Sequence, residues 1–138
     1  PLSLYVKLSQ TFGKKNTYLL ESVLGGERFG RFSFIGLPAK TIIRTVGTPT
    51  KPINEVVTDG NVVETNTDNP LDFVDAYFRR FTVAVQAGLP RFCGGLAGYF
   101  GYDTVRYIES RLAKHDLPDE LGVPDIQLML TAGRKPKD

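Results

Sequence analysis

The residue types that most often carry out chemistry are scarce in this sequence. His115 is the only histidine and Cys93 the only cysteine among 138 residues. His115 lies in a polar stretch without the convergent partners that a metal site or a catalytic dyad requires, so we interpret it as a solvent-exposed loop residue. Cys93 stands between Phe92 and a glycine-rich run, which favours a small buried core residue over a nucleophile.

Two other stretches have some of the residues of an active site without its full pattern. Residues 25–30 are rich in glycine but lack the Lys-Ser/Thr ending of a phosphate-binding loop, so we interpret them as a turn between strands. Asp119 and Glu120 form a carboxylate pair in a polar connector, whereas general acid–base catalysis requires burial that shifts proton affinity. The sequence therefore indicates no catalytic residue and no metal ligand in this chain.

Composition indicates an ordinary globular protein. Hydrophobic residues make up 41% and charged residues 23%, and the formal net charge of +2 comes from scattered Lys and Arg. A nucleic-acid-binding protein usually concentrates its basic residues, so this pattern argues against a nucleic-acid partner. One cysteine excludes an intrachain disulfide, and no apolar run is long enough to span a membrane, so we expect a cytoplasmic protein without a membrane partner. Because the chain begins at Pro1 rather than Met, we expect a missing or processed start.

Short strands and a few helices alternate along the chain. Strands are predicted over residues 17–23, 31–37, 41–46, 55–58, 61–65, 95–102 and 126–130. Asp59 and Gly60 form a hairpin turn between two of them, whereas residues 47–52 contain two prolines and predict a loop that cannot sustain a sheet ladder. Strands in runs, separated by few helices, favour an α+β fold with mainly antiparallel sheet layers over a parallel one.

Three helices are predicted from their caps and apolar spacing. Ser3 caps the first helix and Gly13 ends it, Asn69 caps the second with Pro70 at its first position, and Asp103 caps a short third. The apolar sides are expected at Leu4, Leu8 and Phe12 in the first helix, at Leu71, Val74, Phe78 and Phe81 in the second, and at Val105, Ile108 and Leu112 in the third. The second helix is expected to pack across a sheet.

A run of four glycines precedes the third helix, at residues 94–101. Read as a strand, its Gly95, Ala97, Tyr99 and Gly101 share a nearly flat face. Glycine weakens a strand, so we expect another backbone, a second domain or a ligand to pack closely against this face. A tightly packed central strand without a chemical role explains the same pattern.

Three motifs occur in order along the chain. They are LLES at 19–22 with GGERFGRFSFIG at 25–36, GGLAGYFGYDTVRYIE at 94–109, and LGVPDIQLML at 121–130. Together they resemble the amino-terminal region of anthranilate synthase component I, in the family of chorismate-utilising enzymes. The related aminodeoxychorismate synthase subunit shares parts of this pattern and stays an alternative, as does a stand-alone amino-acid-binding regulatory domain.

The resemblance implies that residues 1–138 are the amino-terminal regulatory domain of such an enzyme. The intact enzyme would be a lyase that converts chorismate and ammonia to anthranilate and pyruvate in tryptophan biosynthesis. A glutamine amidotransferase subunit would supply the ammonia. The catalytic, chorismate-binding portion with its Mg²⁺ site would lie outside this sequence, so we expect this chain alone to be inactive and to hold no cofactor.

The same resemblance places a tryptophan feedback site on Leu20, Glu21, Ser22 and Arg31. Glu21 can accept hydrogen bonds from an ammonium group, Ser22 is a neutral donor and acceptor, and Arg31 can pair with a carboxylate. Glu21 and Ser22 also fit polar groups at a strand end, although for Ser22 the motif favours the effector role. Arg31 fits a solvated strand residue equally well.

Overall fold

A computed structural model of the chain describes residues 1–21, 32–82, 88, 92, 94–114, 116 and 118–131. The chain divides into two units, Pro1–Ala39 and Lys40–Asp138. In the first unit, helix α1 (Leu2–Phe12) is followed by a two-stranded antiparallel sheet of β1 (Tyr18–Glu21) and β2 (Ser33–Gly36). None of the helices in the described ranges is long and apolar enough to cross a membrane.

The second unit is built on a five-stranded antiparallel sheet. Its elements are β3 (Thr41–Thr48), β4 (Lys51–Thr58), β5 (Asn61–Asn66), α2 (Pro70–Phe78), β6 (Gly95–Phe100), a 3₁₀ helix (Tyr102–Tyr107) and β7 (Ile126–Thr131). The strand order is β5-β4-β3-β7-β6, and every neighbouring pair is antiparallel. The predicted α+β class with antiparallel sheets is confirmed.

Helix α1 begins at Leu2, two residues before the start that a cap at Ser3 predicts. Its N-cap is Pro1, which makes no side-chain cap hydrogen bond, and Ser3 lies inside the helix. The predicted end is correct, because Gly13 has φ 102° and donates its N–H to the carbonyl of Ser9. The predicted apolar side is only partly buried, since Leu4 and Phe12 are exposed.

The predicted loop at residues 47–52 is wrong, because the sheet continues through it. Gly47 pairs with Pro52 and Thr48 with Lys51, so β3 and β4 form one long hairpin. Strand β5 pairs with β4 only from Asn54 onward, so Pro52 lies where β4 has a single neighbour. Proline is tolerated at such a position because no second strand requires its missing N–H. The hairpin between β4 and β5 is confirmed, with positive φ at its two turn residues.

Helix α2 begins as predicted but buries a different face. The side-chain oxygen of Asn69 accepts a hydrogen bond from the N–H of Leu71 at 2.9 Å, and Pro70 is the first helical residue. The buried aromatic residues are Phe73 and Tyr77, which join a core cluster with Ile43, Val56, Ile126 and Leu128. Of the predicted face, Leu71 and Val74 only flank this cluster, Phe78 is half-exposed and Phe81 lies beyond the helix.

The glycine-rich strand β6 lies at an edge of the sheet, so its predicted central position is wrong. Strand β7 takes the interior position between β3 and β6. On the predicted flat face, the close neighbour of Gly101 is backbone, one of the three expected possibilities, whereas Gly95 has the Phe78 ring near it. The tightest backbone approach is at Gly98, which lies on the opposite face. A Cβ atom at Gly98 would overlap the carbonyl oxygen of Gln127, and one at Gly101 would lie 2.9 Å from that of Asp125.

The third predicted helix is a 3₁₀ helix, and Asp103 does not cap it. Its N-cap is Gly101, which makes no side-chain hydrogen bond, and Asp103 lies in its first turn. The expected apolar side is exposed at Val105, Ile108 and Leu112. A 3₁₀ turn places side chains at different angles from an α-helix, so the spacing read from the sequence does not make one face here.

Candidate functional site

Strand β1 carries two of the four predicted effector residues. Leu20 lies opposite Phe34 of β2, and Glu21 lies opposite Ser33. Successive residues of a strand point to opposite faces, so the side chains of Leu20 and Glu21 diverge. A ligand that contacts both would have to lie at the end of the strand or use backbone groups.

The local packing of the first unit explains how β1 is held. The ring of Tyr18 occupies the space where a Cβ atom of Gly36 would be, so glycine is required opposite it. The hydroxyl groups of Tyr5 and Thr17 are 2.8 Å apart, which ties helix α1 to the residue before β1. The N–H of Ala39 donates to the carbonyl of Asn16 at 3.0 Å. These contacts fix the start of β1 and the end of β2.

The side chains of Leu20 and Glu21 are accessible in this unit. Leu20 is 49% exposed and Glu21 is also exposed. Beside Leu20, the rings of Phe32 and Phe34 lie with their centroids 6.3 Å apart. One face of the two-stranded sheet therefore offers an aliphatic and aromatic surface, while a carboxylate and the Ser33 hydroxyl occupy the other.

The other predicted effector residues, Ser22 and Arg31, lie outside the described residues. So do Cys93, His115 and residues 25–30. Within the described ranges, no group of three His, Cys, Asp or Glu residues is arranged to hold a metal ion. Asp119 of the predicted carboxylate pair accepts hydrogen bonds from the N–H groups of Leu121 and Gly122, as in a turn, and both carboxylates are exposed.

Two of the sequence motifs meet at Asp125, a contact that the sequence analysis did not foresee. The hydroxyl of Tyr107 donates a short hydrogen bond to the Asp125 carboxylate. The Asp125 carbonyl accepts from the N–H of Gly101 at 2.7 Å and from the Thr104 hydroxyl at 3.4 Å. Asp125 thus fastens the 3₁₀ helix to the start of β7, and both partners lie in motifs that the sequence does display.

Burial and charge around this contact keep Tyr107 neutral. Burial raises its pKa well above the ordinary value, and the hydrogen bond to Asp125 raises the pKa further. Nearby, Arg106 is 8% exposed and donates from Nε to the carbonyl of Leu112 at 3.2 Å. The cluster is a satisfied polar network that joins two elements, and it leaves no free group aimed at a ligand.

Known proteins provide the decisive comparison. No protein-family model matches the chain. Over 132 residues, or 95% of its length, the chain is 51% identical to anthranilate synthase component 1 of Pseudomonas putida. It is 48% identical over 132 residues to the protein of that name from Pseudomonas aeruginosa, and 48% identical over 134 residues to that from Neisseria meningitidis serogroup B.

This chain is a homologue of the amino-terminal region of anthranilate synthase component 1. It covers 25% of the Pseudomonas proteins and 26% of the Neisseria protein, so it spans about a quarter of the length of these curated relatives. The resemblance drawn from the three motifs is therefore confirmed. The hydrogen bonds of Asp125 show that two of those motifs contact each other in the fold.

Proposed function

We propose that this chain is the amino-terminal part of an anthranilate synthase component I. The single observation that carries the proposal is an identity of 48–51% with relatives of that name over 95% of the chain. The intact protein would convert chorismate and ammonia to anthranilate and pyruvate, with a glutamine amidotransferase subunit as the ammonia source. The chorismate and Mg²⁺ sites would belong to the remaining three quarters of the protein.

The test of this proposal is the product formed by the longer protein. Purified longer protein, supplied with chorismate, Mg²⁺ and ammonium, should release anthranilate, detected by its fluorescence and by chromatography. The 138-residue chain under the same conditions is the matched control and should release none. Aminodeoxychorismate in place of anthranilate would support the related synthase and contradict the proposal.

We further propose that this region binds tryptophan as a feedback inhibitor through Leu20, Glu21, Ser22 and Arg31. Two features support this role: Leu20 and Glu21 are accessible on β1, and Glu21 is the last residue of that strand. A carboxylate at this position can accept hydrogen bonds from an ammonium group, and an aliphatic side chain can pack on an indole. Ser22 and Arg31 complete the set by resemblance.

Ser22→Leu in the longer protein should weaken tryptophan inhibition and leave uninhibited turnover nearly unchanged. Leucine removes a hydrogen-bonding hydroxyl and occupies ligand volume, and leaving a buried polar ligand group unpaired lowers affinity by about tenfold to hundredfold. The measurement is a tryptophan inhibition curve beside the uninhibited rate. Because inhibition couples two sites, tryptophan should also lose its effect on chorismate binding in the variant.

Ser3→Leu is the matched control, because it makes the same change at an exposed residue of α1 in the same unit. It should leave the inhibition midpoint unchanged. An unchanged midpoint in Ser22→Leu, or an equal loss of activity and inhibition, would show that Ser22 is structural. Such a result would contradict the proposed tryptophan site and would not affect the proposed synthase activity.

A further inference from the structure

A closed circuit of hydrogen bonds runs through the second unit. It starts inside the sheet, where the Thr45 hydroxyl donates to Asn54 Oδ1 at 2.8 Å. Thr45 and Asn54 are paired on β3 and β4, on the face that also carries Ile43 and Val56, and they are 1% and 0% exposed. The circuit is thus anchored on a buried polar pair in an apolar core. Its members are Thr45, Asn54, Asp68, Asn69, Tyr107 and Asp125.

Two arms of the circuit leave this buried pair. In one arm, Asn54 Nδ2 donates to the carbonyl of Asp68 at 2.9 Å, and Asp68 precedes the N-cap of α2. In the other arm, the carbonyl of Thr45 accepts from the N–H of Asp125 at 3.0 Å, and Asp125 directly precedes β7. Each arm therefore holds the chain where it enters an element of the core.

The two arms are joined through Asn69 and Tyr107. Asn69 Nδ2 donates to the carbonyl of Tyr107 at 2.9 Å, while Asn69 Oδ1 accepts from the N–H of Leu71 in the first turn of α2. The Tyr107 hydroxyl donates to the carboxylate of Asp125 and so closes the circuit. The start of α2 and the 3₁₀ helix are therefore bound both to the sheet and to each other.

We propose that this circuit makes the start of α2 and the 3₁₀ helix open as one cooperative unit. The completely buried amide of Asn54 is used at both ends, by Thr45 and by Asp68, so opening the first arm leaves a buried polar group without its partner. Such a loss costs more than the hydrogen bond itself contributes. Because the circuit is closed, each element has two attachments, and the release of one does not free the element. Bonds in a network also strengthen one another, so we expect them to be lost together.

Hydrogen exchange in the longer protein, followed by mass spectrometry, tests the cooperative opening. The two peptides to compare are residues 70–78, which form α2, and residues 101–109, which contain the 3₁₀ helix. Asn54→Ala removes the buried anchor and should speed exchange by about tenfold in both peptides. The groups that accept from Asn54 Nδ2 belong to Asp68 and Asn66, outside both peptides, so a joint increase reports transmission through the circuit.

A second variant breaks the circuit on its far side. Tyr107→Phe removes the hydroxyl that donates to Asp125, and it should speed exchange in peptide 70–78, where the N–H groups of Leu71 and Phe73 donate to Asn69. This substitution deletes a single oxygen atom, so it decides the question if Asn54→Ala does not fold.

The matched control is Val57→Ala, which truncates another buried side chain of β4. Val57 is 6% exposed, and it lies on the face of β4 opposite to Asn54. This variant should speed exchange in β4 without the joint increase in peptides 70–78 and 101–109.

Three outcomes would overturn the proposal. If Asn54→Ala speeds exchange in only one of the two peptides, or in neither, the two elements open separately. The same joint increase in Val57→Ala would assign the effect to a general loss of stability. Unchanged exchange of peptide 70–78 in Tyr107→Phe would show that the circuit does not transmit opening. The measurement needs neither chorismate nor tryptophan, so its result is independent of the proposed function.

Discussion

The two units of this chain differ in how they pack. In Lys40–Asp138, Ile43 and Ile126 are completely buried within a cluster that joins three strands and a helix. In Pro1–Ala39, the only buried residues in the described part are Ser9 and Gly36. A two-stranded sheet is marginally stable by itself, so the first unit is the less self-sufficient of the two.

Buried polar groups show the same contrast. In the second unit, the Thr45 hydroxyl donates to Asn54 Oδ1 at 2.8 Å, and Asn54 Nδ2 donates to the carbonyl of Asp68 at 2.9 Å. In the first unit, the buried hydroxyl of Ser9 has no hydrogen-bond partner among the described residues. The proposed effector residues thus lie on the unit with fewer fixed contacts, and regions that respond to ligands are often drawn from such parts of a fold.

The largest expected difference between the units follows from truncating one apolar side chain in each. Ile43→Ala should lower the free energy of unfolding by about 2–5 kcal/mol, because it removes completely buried atoms and leaves a cavity. Leu20→Ala, at a half-exposed position of β1, should cost less than about 1 kcal/mol. Urea unfolding of both variants measures the two losses of unfolding free energy. Equal losses would show that the first unit is as tightly packed as the second.

A tyrosine hydrogen bond in each unit sharpens the comparison. Tyr107→Phe should lower the free energy of unfolding by about 1–3 kcal/mol at pH 7, because the Asp125 carboxylate loses a charge-assisted hydrogen bond in a partly buried site. Tyr5→Phe, which removes a neutral bond to Thr17, should cost about 0.5–1.5 kcal/mol. Urea unfolding of the two variants compares the bonds directly.

The pH dependence of stability in Tyr107→Phe tests the hydrogen bond of Tyr107 independently. Burial raises the pKa of Tyr107 above its ordinary value of 10.0, so its stabilising effect is complete below pH 10 and is lost as the pH rises further. The stability gap between the unsubstituted chain and Tyr107→Phe should therefore narrow as the pH rises above about 10, where the phenol titrates in the unfolded state. A gap that widens would contradict the buried neutral phenol.

The smallest expected effect comes from an ion pair of the second unit. Arg80 donates to both carboxylate oxygens of Glu64 at 2.7 Å, and this hydrogen bond lowers the pKa of Glu64 below 4.5. The pair is partly exposed, so Glu64→Gln should change the folding equilibrium by about fivefold at most at pH 7. A carboxylate whose pKa is lowered by folding stabilises the fold only at a pH above its pKa in the unfolded chain. The stability difference between the unsubstituted chain and Glu64→Gln should therefore disappear as the pH falls from 5 to about 3.

A matched control for this variant is Glu21→Gln, because the described residues of the first unit contain no ion pair. Acid titration of stability, followed by circular dichroism, should separate the two variants. A pH-independent loss in Glu64→Gln would mean that its carboxylate acts through packing rather than charge.

Local signals determined much of this protein. The Asp59–Gly60 turn, the cap at Asn69 with Pro70 and the stop at Gly13 were all readable because each depends on backbone conformations that few residue types favour. The antiparallel α+β class followed from the order of the elements. The three motifs also sufficed to identify the homologous region.

Only the tertiary structure decided which elements lie next to one another. The sequence does not encode strand order locally, so the prediction makes β6 central, whereas β6 lies at the edge and β3 is the middle strand of the five. Helical spacing allowed more than one apolar face for α2, and the sheet selected Phe73 and Tyr77 because they meet Ile43 and Val56. The contact between Tyr107 and Asp125 joins residues 18 positions apart, and it exists only because β6 and β7 pair. Long-range pairing of this kind depends on the energy of the whole core, which no single stretch of sequence contains.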